Sequence, residues 1–156
     1  MTTVTLNTLQ NTLPLFFMYV LRNNLTDPLT SRDNPFVYKD APESDQDEFP
    51  FVIVEYEGGE NDLPTLDGTL FIQKTNTFIV RIISKGTSSI QRRDVLADEV
   101  VSILQNPSSA DADGDTIKSN NLVVKSMTID NADLSNVDGE VLRIKEISIT
   151  VRYIGA

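Results

Sequence analysis

The last segment of the chain, Val141 to Ile154, most constrains the fold because it alternates apolar and polar residues over about fourteen positions. A period of two is typical of a β-strand with one buried face, and this strand exceeds the usual length of five or six residues. The apolar residues change phase partway: Leu142 and Ile144 occupy even positions, whereas those from Ile147 to Tyr153 occupy odd positions. We therefore predict a β-bulge near Lys145-Glu146, which would place both sets on the same face.

Two apolar segments earlier in the chain predict a helix and a buried strand. Leu, Phe and Val recur at helical spacing from Leu6 to Leu25, and Pro14 inside this segment predicts either a kink or the start of a second helix. Phe49 to Tyr56 is an apolar run rich in β-branched and aromatic residues. Such a run is typical of a central strand that is buried on both faces.

The middle of the chain predicts a hairpin, a second helix and a further strand. Thr69 to Gln73 and Thr77 to Ser84 are expected to form the two arms of a hairpin. Ser88 or Ser89 then begins a helix, with Gln91 in capping-box register, that ends before Asn106-Pro107. Asn121 to Ile129 is expected to be a strand.

The predicted fold class is α+β, with a mostly antiparallel sheet of about five strands flanked by two helices in the order α-β-β-β-α-β-β. We expect a single domain over residues 1–156, with long loops at about 26–48, 57–68 and 107–120. The residues predicted to share one core are Phe51, Ile53, Val80, Ile82, Leu96, Val100, Leu104, Ile147, Ile149 and Val151.

The net charge of −10 lies in one window, Asp40 to Gln73, which contains ten acidic residues and no Lys or Arg. The chain has 23 acidic and 13 basic residues, so removing these ten leaves 13 of each. A negative field of this kind repels nucleic acid phosphates and attracts basic partners, although a solvated pair of loops with no partner is an equal alternative. The acidic residues predicted to face a channel or a subunit junction are Asp40, Glu43, Asp45, Asp47, Glu48, Glu57, Glu60, Asp62 and Asp67.

The residue types that most enzymes use are missing, because the chain contains no His and no Cys. The segment Asp111 to Asp115 suggests a calcium loop, but an EF-hand needs Gly and Glu where this chain has Thr116 and Leu122, so a solvated turn is expected. An acidic cluster such as Asp45 to Glu48 leaves a magnesium-dependent hydrolase as a minor alternative. We therefore expect no enzymatic activity, no catalytic residue, no metal and no cofactor.

The chain is also expected to be soluble and made in the cytoplasm. No basic residue precedes Arg22, so the start of a signal peptide is missing. The apolar run Leu13 to Leu21 spans nine residues, which is too short to cross a bilayer.

Several residues suggest contacts between subunits. The segment Leu15 to Leu21 is apolar around more than one helix face, so it is either buried under its own loops or packed on a neighbouring subunit. Arg92-Arg93 lies near a helix start, where the helix dipole disfavours cations, so these side chains are either solvated or paired with an acidic partner such as the window of an adjacent copy. The predicted interface residues are Phe16, Phe17, Tyr19, Arg92, Arg93, Arg152 and Tyr153.

The order of these elements resembles the tail terminator (tail completion) proteins of long-tailed bacteriophages. The stretches that carry the resemblance are Leu6 to Leu21, Phe49 to Tyr56, Thr77 to Leu104 and Val141 to Ile154, and the long loop Thr26 to Glu48 departs from the family pattern. The resemblance implies a structural virion protein, made in the host cytoplasm, that forms a ring, typically of six copies, at the tail–head junction. Such a ring caps the tail tube, ends its polymerisation and provides the docking surface for the head or neck.

The implied partners are further copies of the chain, the tail tube protein and a neck or head-completion protein. DNA would pass through without specific binding, and no membrane is involved. An acidic lumen suits this role because it keeps phosphates from adhering. The competing interpretation is a monomeric acidic adaptor that binds a basic protein through the same window.

Overall fold

A computed structural model describes residues 4, 9–29, 32, 35–40, 49–61, 72–86, 88–135 and 141–155. The predicted α+β class, the two helices and the order α-β-β-β-α-β-β are confirmed, and a two-residue strand is additional. The elements are α1 (Leu9–Asn24), β1 (Val37–Lys39), β2 (Phe51–Asn61), β3 (Ile72–Ser84), α2 (Ser89–Gln105), a 3-10 helix (Lys118–Asn120), β4 (Leu122–Asn131), β5 (Leu134–Ser135) and β6 (Val141–Gly155).

The strands form one mostly antiparallel sheet in the order β1-β2-β3-β6-β4, with β5 paired to β6. Only the pairing of β1 with β2 is parallel among the described strands. The predicted hairpin within residues 69–84 is wrong, because β3 continues through Lys74 to Asn76 without a turn. These residues pair with Val151 to Tyr153 on β6, so the length of β6 provides partners along the whole of β3.

Both helices pack on the same face of the sheet, where they share one apolar core with it. Helix α1 contacts β1 and β2, and helix α2 contacts β3 and β6. The rings of Phe17 and Phe78 stack across this layer with their centroids 4.4 Å apart. Helix α1 is a single helix with Pro14 inside it, so of the two predicted alternatives, a kink or a second helix starting at Pro14, the second helix does not form. We call this side of the sheet the helix face.

The opposite face carries a second, smaller group of buried apolar side chains. Phe51, Ile53 and Ile144 are buried but lie outside the main core. The prediction that Phe51 and Ile53 belong to the main core is therefore wrong, and Val52 and Val54 occupy that position instead. The prediction that this strand is buried on both faces is confirmed, because four consecutive residues of β2 are buried.

The predicted bulge at Lys145-Glu146 is wrong, since β6 pairs with β3 without a register shift. Ile144 and Ile147 consequently point to opposite faces of the sheet. The register shifts occur instead in β2, at Glu57, and in β4, at Lys125.

All three predicted loops contain more regular structure than expected. Strand β1 lies within the predicted loop 26–48. Strand β2 continues past its bulge to Asn61, so the predicted loop 57–68 overlaps a strand. The segment 107–120 contains the 3-10 helix and an isolated bridge between Ala110 and Thr116. Ser88 occupies the N-cap position of α2 with φ 63° and makes no side-chain capping bond, so the predicted capping box is absent. No helix within the described ranges is long and apolar enough to span a membrane.

Candidate assembly surface

In the described part of the chain, strand β4 forms one edge of the sheet. It spans ten residues and pairs with β6 on its inner side alone. Among the described residues, no backbone hydrogen bond joins the outer side of Val123 to Asn131 to another segment. A row of unpaired N–H and C=O groups of this length is a template for pairing with another chain.

The bulge at Lys125 keeps the apolar side chains of β4 on the helix face on both sides of the bulge. Before the bulge Leu122 and Val124 point to that face, and after it Met127 and Ile129 do so. Without the extra residue the second pair would point to the opposite face. Ile129 remains 47% exposed.

A groove of about 860 Å³ lies between the C-terminal half of α2 and strand β4. Its apolar floor is formed by Val101, Leu104, Met127 and Ile129 together with further residues of β4. Leu104 and Leu122 at its base are buried, whereas Met127 and Val124 are half-buried against the core. The groove therefore presents an apolar floor beside an unpaired strand, a combination that suits an extended segment of another chain.

The charges at this groove are positive. Lys118 and Lys125 line it, and none of the other described lining residues is charged. Both lysines are exposed, and neither forms an ion pair with another described residue. An acidic partner segment would therefore gain from electrostatic attraction here.

Three of the predicted interface residues are instead committed to the interior. Phe16 and Phe17 are fully buried in the core, so the expectation that they contact a neighbouring subunit is wrong. Arg93 is also buried, and its guanidinium bonds to Asp94 at 3.0 Å and to Asp133 at 2.9 Å within the same chain. The prediction that Arg93 is solvated or paired with a neighbouring copy is therefore wrong.

The other four predicted interface residues retain accessible surface. Tyr19 is half-buried, with the guanidinium of Arg22 5.7 Å from its ring centroid. Arg92 is exposed on α2, while Arg152 and Tyr153 are half-buried on opposite faces near the end of β6. Their contact with a second copy stays a prediction.

Arg93 belongs to a charged cluster that fixes the end of β4 to α2 and β6. Arg143 bonds to Asp133 at 3.1 Å, and Lys145 bonds to Asp94 at 2.8 Å. The hydrogen bond from Lys145 lowers the pKa of Asp94, with help from Arg93. Burial alone raises the pKa of Asp133, but the Ile144 N–H, Arg143 and Arg93 outweigh it, so the net pKa is lowered.

The acidic window is described in part. Asp40 and Glu57 are exposed, whereas Glu55 pairs with Arg81 on the face opposite the helices. Glu60 lies in β2. The remaining predicted members lie outside the described residues, namely Glu43, Asp45, Asp47, Glu48, Asp62 and Asp67.

The segment Asp111 to Asp115 is a turn organised by its first carboxylate. Asp111 is buried, and its Oδ1 accepts hydrogen bonds from the N–H groups of Asp113 and Asp115, each at 3.0 Å. The expectation of a solvated turn is therefore wrong for Asp111. In the part of the chain that the structure describes, no group of three or more acidic residues is arranged to hold a metal ion.

The groove on β4 was missed at the sequence level, although a signal for it exists. The apolar residues of β4 change from even to odd positions between Val124 and Met127. This phase change indicates a bulge on a strand that keeps one apolar face.

Comparison of the chain with protein-family models and with curated proteins finds no match.

Proposed function

We propose that this protein is a structural virion protein that assembles into a ring on the end of a phage tail tube. The observation that carries the proposal is the open edge of β4 beside an apolar groove. A surface of this kind suits association with another chain, since monomeric proteins usually shorten, charge or cover their sheet edges. In this role the ring ends tube polymerisation and provides the docking surface for the head or neck.

The chemistry of the chain supports an assembly role over a catalytic one. The chain has no His or Cys to serve as base, nucleophile or soft metal ligand. The charged clusters around Arg81 and Arg93 are ion pairs within the chain, each of which joins neighbouring elements. Such pairs position backbone elements, which is a structural task.

The charge distribution supports a position on the path of DNA. The excess of ten acidic residues in the Asp40 to Gln73 window would repel phosphates, so DNA would pass without specific binding. The remaining partners would be the tail tube protein below the ring and a neck or head-completion protein above it. Six copies is the number that the resemblance suggests.

Polymerisation of the purified tail tube protein, followed by electron microscopy, tests this function. Adding the chain should shorten the tubes and place a ring at one tube end, whereas an unrelated acidic protein of equal size should change neither. Tubes of unchanged length with no added density at their ends would contradict the proposal. If light scattering also shows the chain to be monomeric with and without tubes, a monomeric adaptor is the better interpretation.

A further inference from the structure

The groove beside β4 and the stretch of β2 beyond Val54 carry opposite charges. Strand β4 itself carries one charge of each sign, Lys125 and Asp130, so the difference lies in the lining of the groove. At the β4 edge, Lys118 and Lys125 line the groove without an acidic neighbour in its lining. At the other edge, β1 pairs only with Val52 to Val54, so among the described residues Glu55 to Asn61 of β2 also form an edge. That stretch includes the exposed Glu57 and lies in the window that contains ten acidic residues and no basic one.

From this juxtaposition we propose that the groove and open edge of β4 in one copy receive the acidic β2 edge of a second copy. The contact is head to tail, because two different surfaces of the same chain meet. This proposal adds a subunit contact to the proposed function. It rests on that function only in taking the tail tube as the place where the copies assemble. A head-to-tail contact generates a ring when the rotation between copies closes.

A second copy fits this groove better than a symmetric pairing of two β4 strands. Symmetric pairing would bring together two grooves whose described lining contains Lys118 and Lys125 and no acidic residue. Like charges brought together oppose association, whereas a basic groove meeting an acidic edge favours it. The β2 edge also offers unpaired backbone, since among the described residues no backbone bond joins the outer side of Glu55 to Asn61 to another segment.

Cross-linking of single-cysteine variants tests the contact, because the chain contains no Cys and gives no background. Ile129→Cys places a thiol in the groove, and Glu57→Cys places one on the acidic edge. Both positions are exposed, and the melting temperature of each variant would show that it folds. Equal amounts of the two variants, treated with a short bis-maleimide, should yield a covalent dimer that neither variant yields alone.

A matched control uses Gln91→Cys, which is exposed in the first turn of α2 and does not line the groove. Mixed with either variant, it should give no covalent dimer. Adding Lys125→Glu to the groove variant, or raising the salt concentration, should reduce the yield of the specific dimer. A dimer formed by Ile129→Cys alone would show symmetric pairing of β4 and overturn the proposal, as would the absence of any specific dimer.

These outcomes are separable from the fate of the proposed function. If the specific dimer forms but tubes elongate normally, the contact stands and the tail-capping role fails. If tubes are capped but no specific dimer forms, the role stands and the contact lies elsewhere on the chain.

Discussion

The two edges of this sheet show different ways to end a β-structure. At the β1 edge the last strand has three residues, and the Nε of Arg22 donates to the carbonyl of Val37 at 2.8 Å. At the β4 edge the last strand has ten residues, with apolar side chains and no described backbone partner on its outer side. A short capped strand such as β1 resists pairing with another chain, whereas a long uncapped strand such as β4, or β2 from Glu55 onward, is open to it. This contrast is the observation behind the proposal that the β4 edge is used for assembly.

The largest expected effect comes from comparing two residues, one inside the sheet and one on this open edge. Ile147 on β6 and Ile129 on β4 lie directly opposite each other, but Ile147 is fully buried and Ile129 is 47% exposed. Ile147→Ala should lower the free energy of unfolding by about 2–5 kcal/mol, because it leaves a cavity in the core. Ile129→Ala should change it by no more than about 0.5 kcal/mol, as is usual for surface substitutions.

Urea denaturation of dilute protein measures both values, and light scattering at high concentration measures self-association. Ile129→Ala is expected to weaken self-association while it spares stability. Equal destabilisation by the two substitutions would mean that the β4 edge belongs to the monomer core and is not an open surface.

The same two strands show how much of the fold can be predicted from the sequence. In both strands the apolar residues shift between even and odd positions. In β4 a bulge keeps them on one face of the sheet, whereas in β6 the apolar residues before and after the shift lie on opposite faces. In β6 the helix-face positions before the core are taken by Arg143 and Lys145, which bond to Asp133 and Asp94. A single sequence gives the period of a strand, but the partner that covers each face decides between these two solutions.

The site was harder to predict than the fold for a related reason. Alternation in Asn121 to Ile129 indicates a strand, but it does not tell whether a neighbour lies on both sides. That β4 is an edge follows from the place of β6 between β3 and β4, which is a long-range feature. The apolar side chains of Phe16 and Phe17 likewise predict that they are covered, but not by what. Only the packing of α1 on the sheet shows that they belong to the core.

The next effect concerns the charged cluster that holds the end of β4 in place. Asp133→Asn weakens the bonds to Arg93 and Arg143, and it should lower the free energy of unfolding at neutral pH by about 1–3 kcal/mol. The pKa of Asp133 is lowered below its ordinary value of 3.8, so its contribution is complete above that value and is lost as the pH falls through the lower folded pKa.

Denaturation of the wild-type protein and of Asp133→Asn across acidic pH measures this dependence. The difference between the two proteins should be largest at neutral pH and should shrink below pH 3.8. Asp130→Asn, at an exposed position near the end of β4, serves as the control and should change little. A difference that stays constant down to the acid limit would show that the carboxylate charge of Asp133 does not stabilise this edge.

A smaller effect tests the cap on the β1 edge. Arg22→Met keeps the apolar stem of the side chain and removes the hydrogen bond to Val37, so it should cost about 0.5–1.5 kcal/mol. Hydrogen exchange should then be faster in β1 and unchanged in β4. Arg92→Met, at an exposed position on α2, provides the matched loss of one guanidinium and should leave exchange in β1 unaltered.

The smallest effect on stability, and the most informative for function, comes from the charges of the acidic window. Replacing Glu43, Asp45, Asp47 and Glu48 by Lys should change the free energy of unfolding by only about 0.5 kcal/mol per site, because acidic side chains are rarely buried and surface charges contribute little. If the window faces the channel, the assembled ring should now bind DNA, and more strongly at low salt than at high salt, since phosphate contacts release counterions. If the window instead contacts the basic groove of the next copy, assembly should fail before any DNA binding appears. A variant that assembles normally and ignores DNA would place these charges on the outer surface, and the acidic β2 edge around Glu57 would then have to account for the contact by itself.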